Sequence, residues 1–209
     1  MALSEHSLRV GPLTVQTAAL ALGDAEVSGD RYCAIPASTG VLLAVMDGLG
    51  HGEEAADAAM RACEALHDSA PGALAGAVER CHAALRGTRG VVIALAWFPR
   101  ARPQMEWLAV GNVEALLLHG AARSPGRETI VQRPGIVGYG LPALIPATVP
   151  VAAGDTLVLA TDGVERTFGQ ALSNGGAAPA DGAAALLRRF ASRNDDALLV
   201  LARYVGEDA

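Results

Sequence analysis

Four aspartates share one local context, since each lies at an end of a predicted apolar strand with Gly or a second Asp beside it. They are Asp30 in Ser-Gly-Asp-Arg-Tyr, Asp47 in Val-Met-Asp-Gly-Leu-Gly-His-Gly, Asp162 in Leu-Ala-Thr-Asp-Gly-Val and Asp195 in Asn-Asp-Asp-Ala-Leu-Leu. Strand ends are rigid, so carboxylates placed there can converge, and converging carboxylates repel unless a positive charge lies between them. Mg²⁺ or Mn²⁺ is the counter-charge that an all-oxygen site favours. A single Asp-Gly is only a turn signal, so the metal hypothesis depends on all four positions together.

The elements that must position these aspartates follow from hydrophobic periodicity. Strands are predicted at 13–22, 31–35, 41–46, 91–98, 105–110, 113–119, 128–133, 156–160 and 197–204, and helices at 53–67, 74–85, 164–172 and 183–192. Residues 105–119 are predicted to form a hairpin that turns at Gly111-Asn112, and 134–150 a surface loop. Two consecutive helices after the third strand argue against a βαβ repeat and favour two packed sheets with helices outside.

Composition and charge narrow the class of protein. The 209 residues suit one domain, 1–209, and a net charge of −6 without a basic cluster argues against nucleic-acid binding. No apolar run reaches the ~18 residues that span a bilayer, so no membrane segment is predicted and a cytoplasmic location is expected. The cysteines, Cys33, Cys63 and Cys81, are widely spaced without C-x-x-C, so neither zinc nor a disulfide is predicted. Cys63 and Cys81 fall in helical patterns and are expected to be buried.

The motifs also resemble a known family in their order and spacing. Five motifs look like those of the metal-dependent protein phosphatases (PPM, protein phosphatase 2C-like), in the bacterial branch shared with stage II sporulation protein E. They are Ser-Gly-Asp, Asp-Gly-Leu-Gly-His-Gly, Val-Gly-Asn-Val, Ala-Thr-Asp-Gly-Val and Asn-Asp-Asp-Ala-Leu-Leu-Val. Glu79-Arg80-Cys81-His82, Arg89-Gly90 and Val110-Gly111-Asn112-Val113 are most similar to stressosome feedback phosphatases of the RsbX type. The resemblance spans about 13–204 and implies an α+β fold, an αββα sandwich of two mainly antiparallel sheets flanked by helix pairs.

The resemblance further implies the site and its chemistry. Asp47 would bridge two Mn²⁺ or Mg²⁺ ions, the Gly48 carbonyl would be a further ligand, and Asp30, Asp162 and Asp195 would complete the site. A hydroxide bridging the ions would attack phosphorus without a covalent enzyme intermediate. The substrate implied is phosphoserine or phosphothreonine on a STAS-domain protein of a stressosome or sigma-factor pathway, or another phosphoprotein such as an anti-anti-sigma factor. The enzyme is expected to be a monomer.

Some positions depart from the family pattern around the reacting phosphate. Leu49 stands where larger members carry the proposed general acid, so His51, two residues on, is the candidate catalytic acid or a solvent-facing histidine. Ala25 stands where larger members carry a phosphate-binding Arg, which leaves Arg31 and Arg89 as candidates.

Other departures fall next to the predicted ligands. Asn112 replaces an Asp of a third metal site, and Leu198 replaces a Thr whose hydroxyl is lost. Asp196 is expected to orient Asp195 or to face water. No predicted metal ligand is missing, so an active enzyme is predicted.

Two other functions fit parts of the pattern. Gly48, Gly50 and Gly52 follow a strand and open a helix, as in a dinucleotide-binding turn, although the Asp47 carboxylate would oppose a pyrophosphate there. The chain could also be a non-catalytic module that keeps a phosphatase fold to bind a partner.

Overall fold

Alternating burial places the strands of this chain in two stacked sheets. The computed structural model describes residues 3–22, 27–69, 72–121, 123–124, 126–173, 179–192 and 194–206. Its strands are β1 Leu3–Val10, β2 Leu13–Leu20, β3 Asp30–Ala37, β4 Gly40–Gly48, β5 Val91–Pro99, β6 Gln104–Val110, β7 Glu114–Leu118, β8 Arg127–Thr129, β9 Ala147–Pro150, β10 Thr156–Ala160 and β11 Ala197–Tyr204. Its helices are α1 Glu53–His67, α2 Leu74–Ala84, α3 Thr167–Ser173 and α4 Ala183–Phe190, with one 3₁₀ turn at Pro179–Asp181.

Sheet I has the order β1-β2-β11-β10-β7-β8, and sheet II has the order β3-β4-β5-β6-β9. All strand pairs in these two sheets are antiparallel, and so are the isolated bridges outside them. A dinucleotide-binding turn requires a parallel βαβ unit, so the described topology contradicts the alternative based on Gly48, Gly50 and Gly52.

Three apolar clusters hold the layers together. The first lies between the sheets and takes one face of each central strand, for example Leu43 and Val45 of β4. The second packs the other face of sheet II, including Ala44 and Met46, against α1 and α2. The third packs sheet I against α3 and α4. This α–β–β–α layering is the predicted sandwich, and the helix pairs lie where they were predicted.

The predicted hairpin at Gly111-Asn112 is wrong. β6 belongs to sheet II and β7 to sheet I, so the chain crosses between the sheets at this point. Gly111 has a φ of +95°, and a Cβ there would lie 2.2 Å from Val92 Cγ1. The glycine is therefore required by a close crossing over β5 rather than by a hairpin turn.

Two strands were not predicted, and both lie at sheet edges. β1 is largely exposed, and β9 is a four-residue strand inside the predicted loop 134–150. Edge strands bury little surface and so leave little apolar pattern in a sequence. Among the described residues, no helix is both long and apolar enough to cross a membrane.

Candidate metal centre

The four predicted aspartates lie at one end of the sandwich. Asp30 and Asp47 are direct cross-strand partners at the end of the β3–β4 pair. Asp162 follows β10 and Asp195 precedes β11, and these two strands are antiparallel neighbours, so their ends also coincide. The structure therefore brings all four sequence-predicted aspartates to the same region, two from each sheet.

Strand alternation decides which way Asp30 and Asp47 point. Tyr32 and Val45, two residues from these aspartates, contribute to the cluster between the sheets, whereas Cys33 and Met46 pack under the helices. Because side chains two apart share a face, Asp30 and Asp47 point into the space between the sheets. Like charges directly opposite each other in a sheet destabilise it, so a cation between Asp30 and Asp47 would stabilise this end of the sheet.

The electrostatics show the same deficit of positive charge. Burial, followed by Asp162, Asp195 and Asp196, raises the pKa of Asp47 to about 7. Burial and then Asp47 raise the pKa of Asp30 well above its ordinary value, and only the hydroxyl of Thr161 opposes this. No cationic side chain of the described residues contributes to either shift, so the charge and the oxygen donors fit a hard divalent cation.

The carboxylates do not form a closed cage. Within the described ranges, no three His, Cys, Asp or Glu side chains are arranged as a ready metal-binding group. Asp162 is exposed and Asp195 half-buried, while Asp30 is buried. An open arrangement of this kind suits Mg²⁺ or Mn²⁺, which retain water ligands and accept backbone oxygens.

Gly48 lies where a backbone oxygen could reach such an ion. It is buried, its N–H donates to the Gly29 carbonyl at 3.1 Å, and a Cβ on Gly48 would lie 2.1 Å from the Ala55 carbonyl oxygen. Only glycine therefore allows the start of α1 to pack this closely behind Asp47.

Thr161 is a functional residue that sequence reasoning missed. Its hydroxyl donates to Asp30 Oδ2 at 2.7 Å and accepts from the Leu198 N–H at 2.9 Å. It thereby orients the carboxylate of Asp30 and ties it to β11. A signal was present, because Thr161 continues the inward alternation of Leu157 and Leu159, and a polar side chain in that position needs a partner.

Asp196 orients Asp195 through its backbone, as expected, but its side chain has a further role. Its side chain is buried and accepts from the Gly29 and Leu22 N–H groups, each at 2.7 Å. It fastens the two sides of the β2–β3 connection directly beside Asp30, and so neither faces water nor orients Asp195 with its side chain. The Asp196 N–H does orient Asp195, donating to Oδ1 at 2.9 Å.

Asn112 holds Asp162 at the crossing between the sheets. Its Nδ2 donates to Asp162 Oδ2 at 2.8 Å, and its backbone carbonyl accepts from Gln132 Nε2 at 2.9 Å. An amide donor therefore occupies the place where the family pattern has a carboxylate, and it supports Asp162 instead of repelling it.

The candidate groups for proton transfer and phosphate binding lie around the rim. His51 is exposed. Burial raises the pKa of Asp195, and the nearby His51 is among the groups that oppose this rise, so His51 lies beside the acidic cluster on its solvent side. Arg89 is paired with Glu54 through an Nε–Oε2 contact of 2.6 Å. Arg31 alternates to the helix side of β3, where its charge acts on Cys63. The structure thus places Arg31 outside the cluster, and Ala25 lies outside the described residues.

Comparison with known proteins identifies the family to which this chain is similar. A sequence model of the stage II sporulation protein E (SpoIIE) family matches residues 37–205. No curated protein sequence matches the chain significantly.

Solved structures resemble the chain over most of its length. A chain from a structure of the bacterial stressosome, described as a modular system adapted to control secondary messenger signalling, is 31% identical, with 91% of this chain and 99% of that chain covered and a TM-score of 0.78. RsbX in complex with magnesium is 19% identical, with 96% and 99% covered and a TM-score of 0.82. The catalytic domain of the serine/threonine phosphatase PstP with two manganese ions is 18% identical, with 92% and 98% covered and a TM-score of 0.66. The last two likenesses show a common fold.

Proposed function

Because the chain belongs to the stage II sporulation protein E family and is a metal-dependent protein phosphatase, we propose that it removes phosphate from serine or threonine of a phosphorylated STAS-domain protein. The pathway proposed is a stressosome or sigma-factor pathway, and the enzyme works there as a single-domain cytoplasmic monomer. The observation that carries the catalytic part is the convergence of four strand-end aspartates with uncompensated negative charge.

Two Mn²⁺ or Mg²⁺ ions are the proposed cofactor. The ions would be held by Asp47, the Gly48 carbonyl, Asp30, Asp162 and Asp195. When bound, the ions would supply the positive charge that a transferring phosphoryl group needs and a water acidic enough to react at neutral pH. Metal in the RsbX and PstP structures supports this assignment.

The chain's own residues would fix ligands and move a proton. Thr161 and Asn112 each donate to one carboxylate oxygen, which leaves the other oxygen of Asp30 and of Asp162 available to an ion. His51 faces the cluster from solvent and is the proposed donor of a proton to the departing serine oxygen. Its exposure allows it to regain that proton from water.

A groove beside Asp162 supports a protein as the substrate. It has a volume of about 340 Å³ and lies between the β7–β8 edge and α3, lined among others by Glu114, Arg127, Gln132 and Arg166. Burial raises the pKa of Glu114, and the nearby Arg166 and Arg127 oppose that rise, so both positive charges act on this carboxylate within the groove. Gln132 joins the groove to the cluster through Asn112. A chain that carries phosphoserine at the metal centre could continue into this groove.

The phosphoprotein substrate is tested by time courses of phosphate release. A phosphorylated STAS-domain protein, an aryl phosphate and free phosphoserine are each incubated with the enzyme and Mn²⁺, with EDTA as the metal control. The proposal expects the phosphoprotein to be the preferred substrate. Hydrolysis of free phosphoserine or phosphotyrosine peptides alone would refute the proposed substrate class.

The groove is tested with Arg166→Glu and with Arg102→Glu, an exposed arginine in the β5–β6 connection, as the matched control. We expect Arg166→Glu to lower kcat/KM for the phosphoprotein by about tenfold, since a charge reversal costs on the order of 1 kcal/mol or more. Hydrolysis of the aryl phosphate should be unchanged. An equal loss on both substrates would remove the groove from substrate binding.

The same assay separates the enzyme from a non-catalytic phosphatase-fold module. If folded wild-type protein and Asp47→Asn were equally inactive on the aryl phosphate with Mn²⁺, the module would be the better description.

A further inference from the structure

A second reactive group lies on the opposite face of β3 from Asp30. Arg31 and Cys33 occupy positions i and i+2 on the helix-facing side of β3, and Cys63 and His67 occupy positions i and i+4 on α1. Both spacings place the two side chains on one face of their element. α1 packs directly on β3. Cys33 belongs to the apolar cluster between them and Cys63 packs against the same cluster, and each thiol is the largest influence on the pKa of the other.

The two thiols differ in exposure. Cys33 is buried at 5% exposure, whereas Cys63 is only half-buried and therefore accessible to small molecules. The prediction that Cys63 would be buried is thus wrong, because Cys63 lies near the solvent-exposed face of α1. The widely spaced cysteines Cys33 and Cys63 become neighbours in one apolar cluster only when α1 packs on β3.

The surroundings divide charge unequally between these thiols. The hydrogen bond from Cys33, and then the nearby His67 and Arg31, lower the pKa of Cys63 against the opposing effect of burial. The same hydrogen bond and burial raise the pKa of Cys33. Of the two thiols, Cys63 therefore ionises more readily than Cys33, and the ionised form is the reactive one.

We propose that Cys33 and Cys63 form a peroxide-reactive dithiol, in which Cys63 is oxidised first and Cys33 then closes a disulfide between β3 and α1. The site is separate from the metal centre, because Asp30 points between the sheets and Cys33 points under α1. The proposal therefore does not depend on the phosphatase reaction.

The chemistry balances with hydrogen peroxide as the oxidant. The Cys63 thiolate attacks one peroxide oxygen, a sulfur–oxygen bond forms, the oxygen–oxygen bond breaks, and the departing hydroxide takes a proton to become water. Cys33 then loses its proton and attacks the Cys63 sulfur, so that a sulfur–sulfur bond forms and the sulfur–oxygen bond breaks. The second hydroxide leaves as water with the proton from Cys33. The two sulfurs together lose two electrons, and one peroxide becomes two waters.

The charge on Cys63 also explains why buried Cys33 becomes reactive only after Cys63 has been oxidised. While Cys63 is a thiolate, its charge opposes ionisation of Cys33. Oxidation of Cys63 to the neutral sulfenic acid removes that charge, and the proton on Cys33 becomes easier to lose.

Cys81 provides an internal control. It is fully buried, its Sγ contacts the Ala62 carbonyl at 3.5 Å, and burial raises its pKa to about 12. At neutral pH it should alkylate at least about tenfold more slowly than Cys63, because the thiolate is the reactive form.

The test is oxidation of the reduced, full-length protein with equimolar hydrogen peroxide, followed by alkylation and peptide mass mapping. We expect a Cys33–Cys63 cross-linked peptide that dithiothreitol reverses, with Cys81 still a thiol. Cys81→Ala should behave as wild type. Cys63→Ser should give no disulfide, and Cys33→Ala should leave a sulfenic acid at Cys63 that dimedone traps.

Three results would overturn the proposal. They are a native Cys63 that reacts with peroxide no faster than glutathione, a cross-link that includes Cys81, and a disulfide formed only between two chains. Wild-type protein alone decides among these, by its rate of reaction with peroxide, by peptide mapping and by non-reducing electrophoresis, so the test holds even if a cysteine variant fails to fold.

Discussion

The hydroxyl of Thr161 donates a hydrogen bond of 2.7 Å to Oδ2 of Asp30, joining residues of the two sheets that are 131 positions apart in the chain. Oγ1 of Thr161 also accepts a hydrogen bond from the Leu198 N–H. One small side chain therefore connects a proposed metal ligand to the central strand β11, so the position of that ligand depends on the packing of the two sheets.

Thr161→Val should weaken metal binding without blocking the site. It removes the hydrogen bond to Asp30 and leaves the Leu198 N–H unpaired, at a cost of about 1–3 kcal/mol in unfolding free energy. Mn²⁺ affinity should fall by about tenfold to a hundredfold, as is usual when the partner of a metal ligand is lost. Thr161→Ser keeps the hydroxyl and is the control. Calorimetric Mn²⁺ titration and thermal denaturation measure both effects, and a valine variant with wild-type affinity would contradict the assigned role.

His51→Ala should act mainly on substrates with a poor leaving group. A serine oxygen needs a proton as it departs, whereas an aryl oxygen does not, and a general acid contributes about a hundredfold or more. We expect a loss of that size for the phosphoprotein and a loss below about threefold for the aryl phosphate. Steady-state rates on both substrates measure this. Equal losses, or a loss below tenfold on the phosphoprotein, would leave His51 as a solvent-facing residue.

Asp162→Ala should abolish phosphatase activity and leave the fold intact. Asp162 is exposed and contributes to the raised pKa of both Asp47 and Asp30, so its removal relieves repulsion in the metal-free protein. The melting temperature without metal should therefore stay equal or rise, while stabilisation by added Mn²⁺ is lost. Glu165→Ala, at an exposed neighbouring position, should retain both activity and metal response. Retained activity in Asp162→Ala would exclude it as a ligand.

The metal-free protein should be more stable in weak acid than in weak base. Burial and neighbouring carboxylates raise the pKa of Asp47 from 3.8 to about 7, so the folded state holds a proton over a range in which the unfolded chain has already lost it. The stabilising proton is lost as pH rises through about 7, and the unfolding free energy falls by about 2 kcal/mol between about pH 5.5 and pH 8 from this group. The raised pKa of Asp30 acts in the same direction.

Denaturant titrations at the two pH values, with EDTA present, measure this pH dependence. Asp47→Asn removes the titrating group and should flatten it, and Mn²⁺ should raise stability most at the higher pH. A wild-type protein that is more stable at the higher pH without metal would contradict the uncompensated charge.

Much of the central architecture was predictable because buried strands carry their pattern locally. The runs that became β4, β5, β10 and β11 are apolar over almost their full length, and the bounds of α1, β10 and β11 match the predicted ranges. The edge strands β1 and β9 were missed because one face or both meet solvent, and water imposes no apolar pattern.

The candidate site likewise has features that the sequence predicts and features that it does not. The sequence alone determined which aspartates stand at strand ends and that Gly48 follows one of them, because those are local facts of residue type and order. It did not determine which strands are neighbours, and so the predicted hairpin at Gly111 is wrong.

Only the tertiary structure decided the partnerships. Three relationships join residues far apart in the chain: the bond from Thr161 to Asp30, the bonds from the Gly29 and Leu22 amides to Asp196, and the proximity of Cys33 and Cys63 in one apolar cluster. Such contacts depend on how sheets and helices pack, and packing is set by the summed burial of many side chains rather than by any short run of sequence. The residue types were fixed locally, and their environment was fixed by the fold.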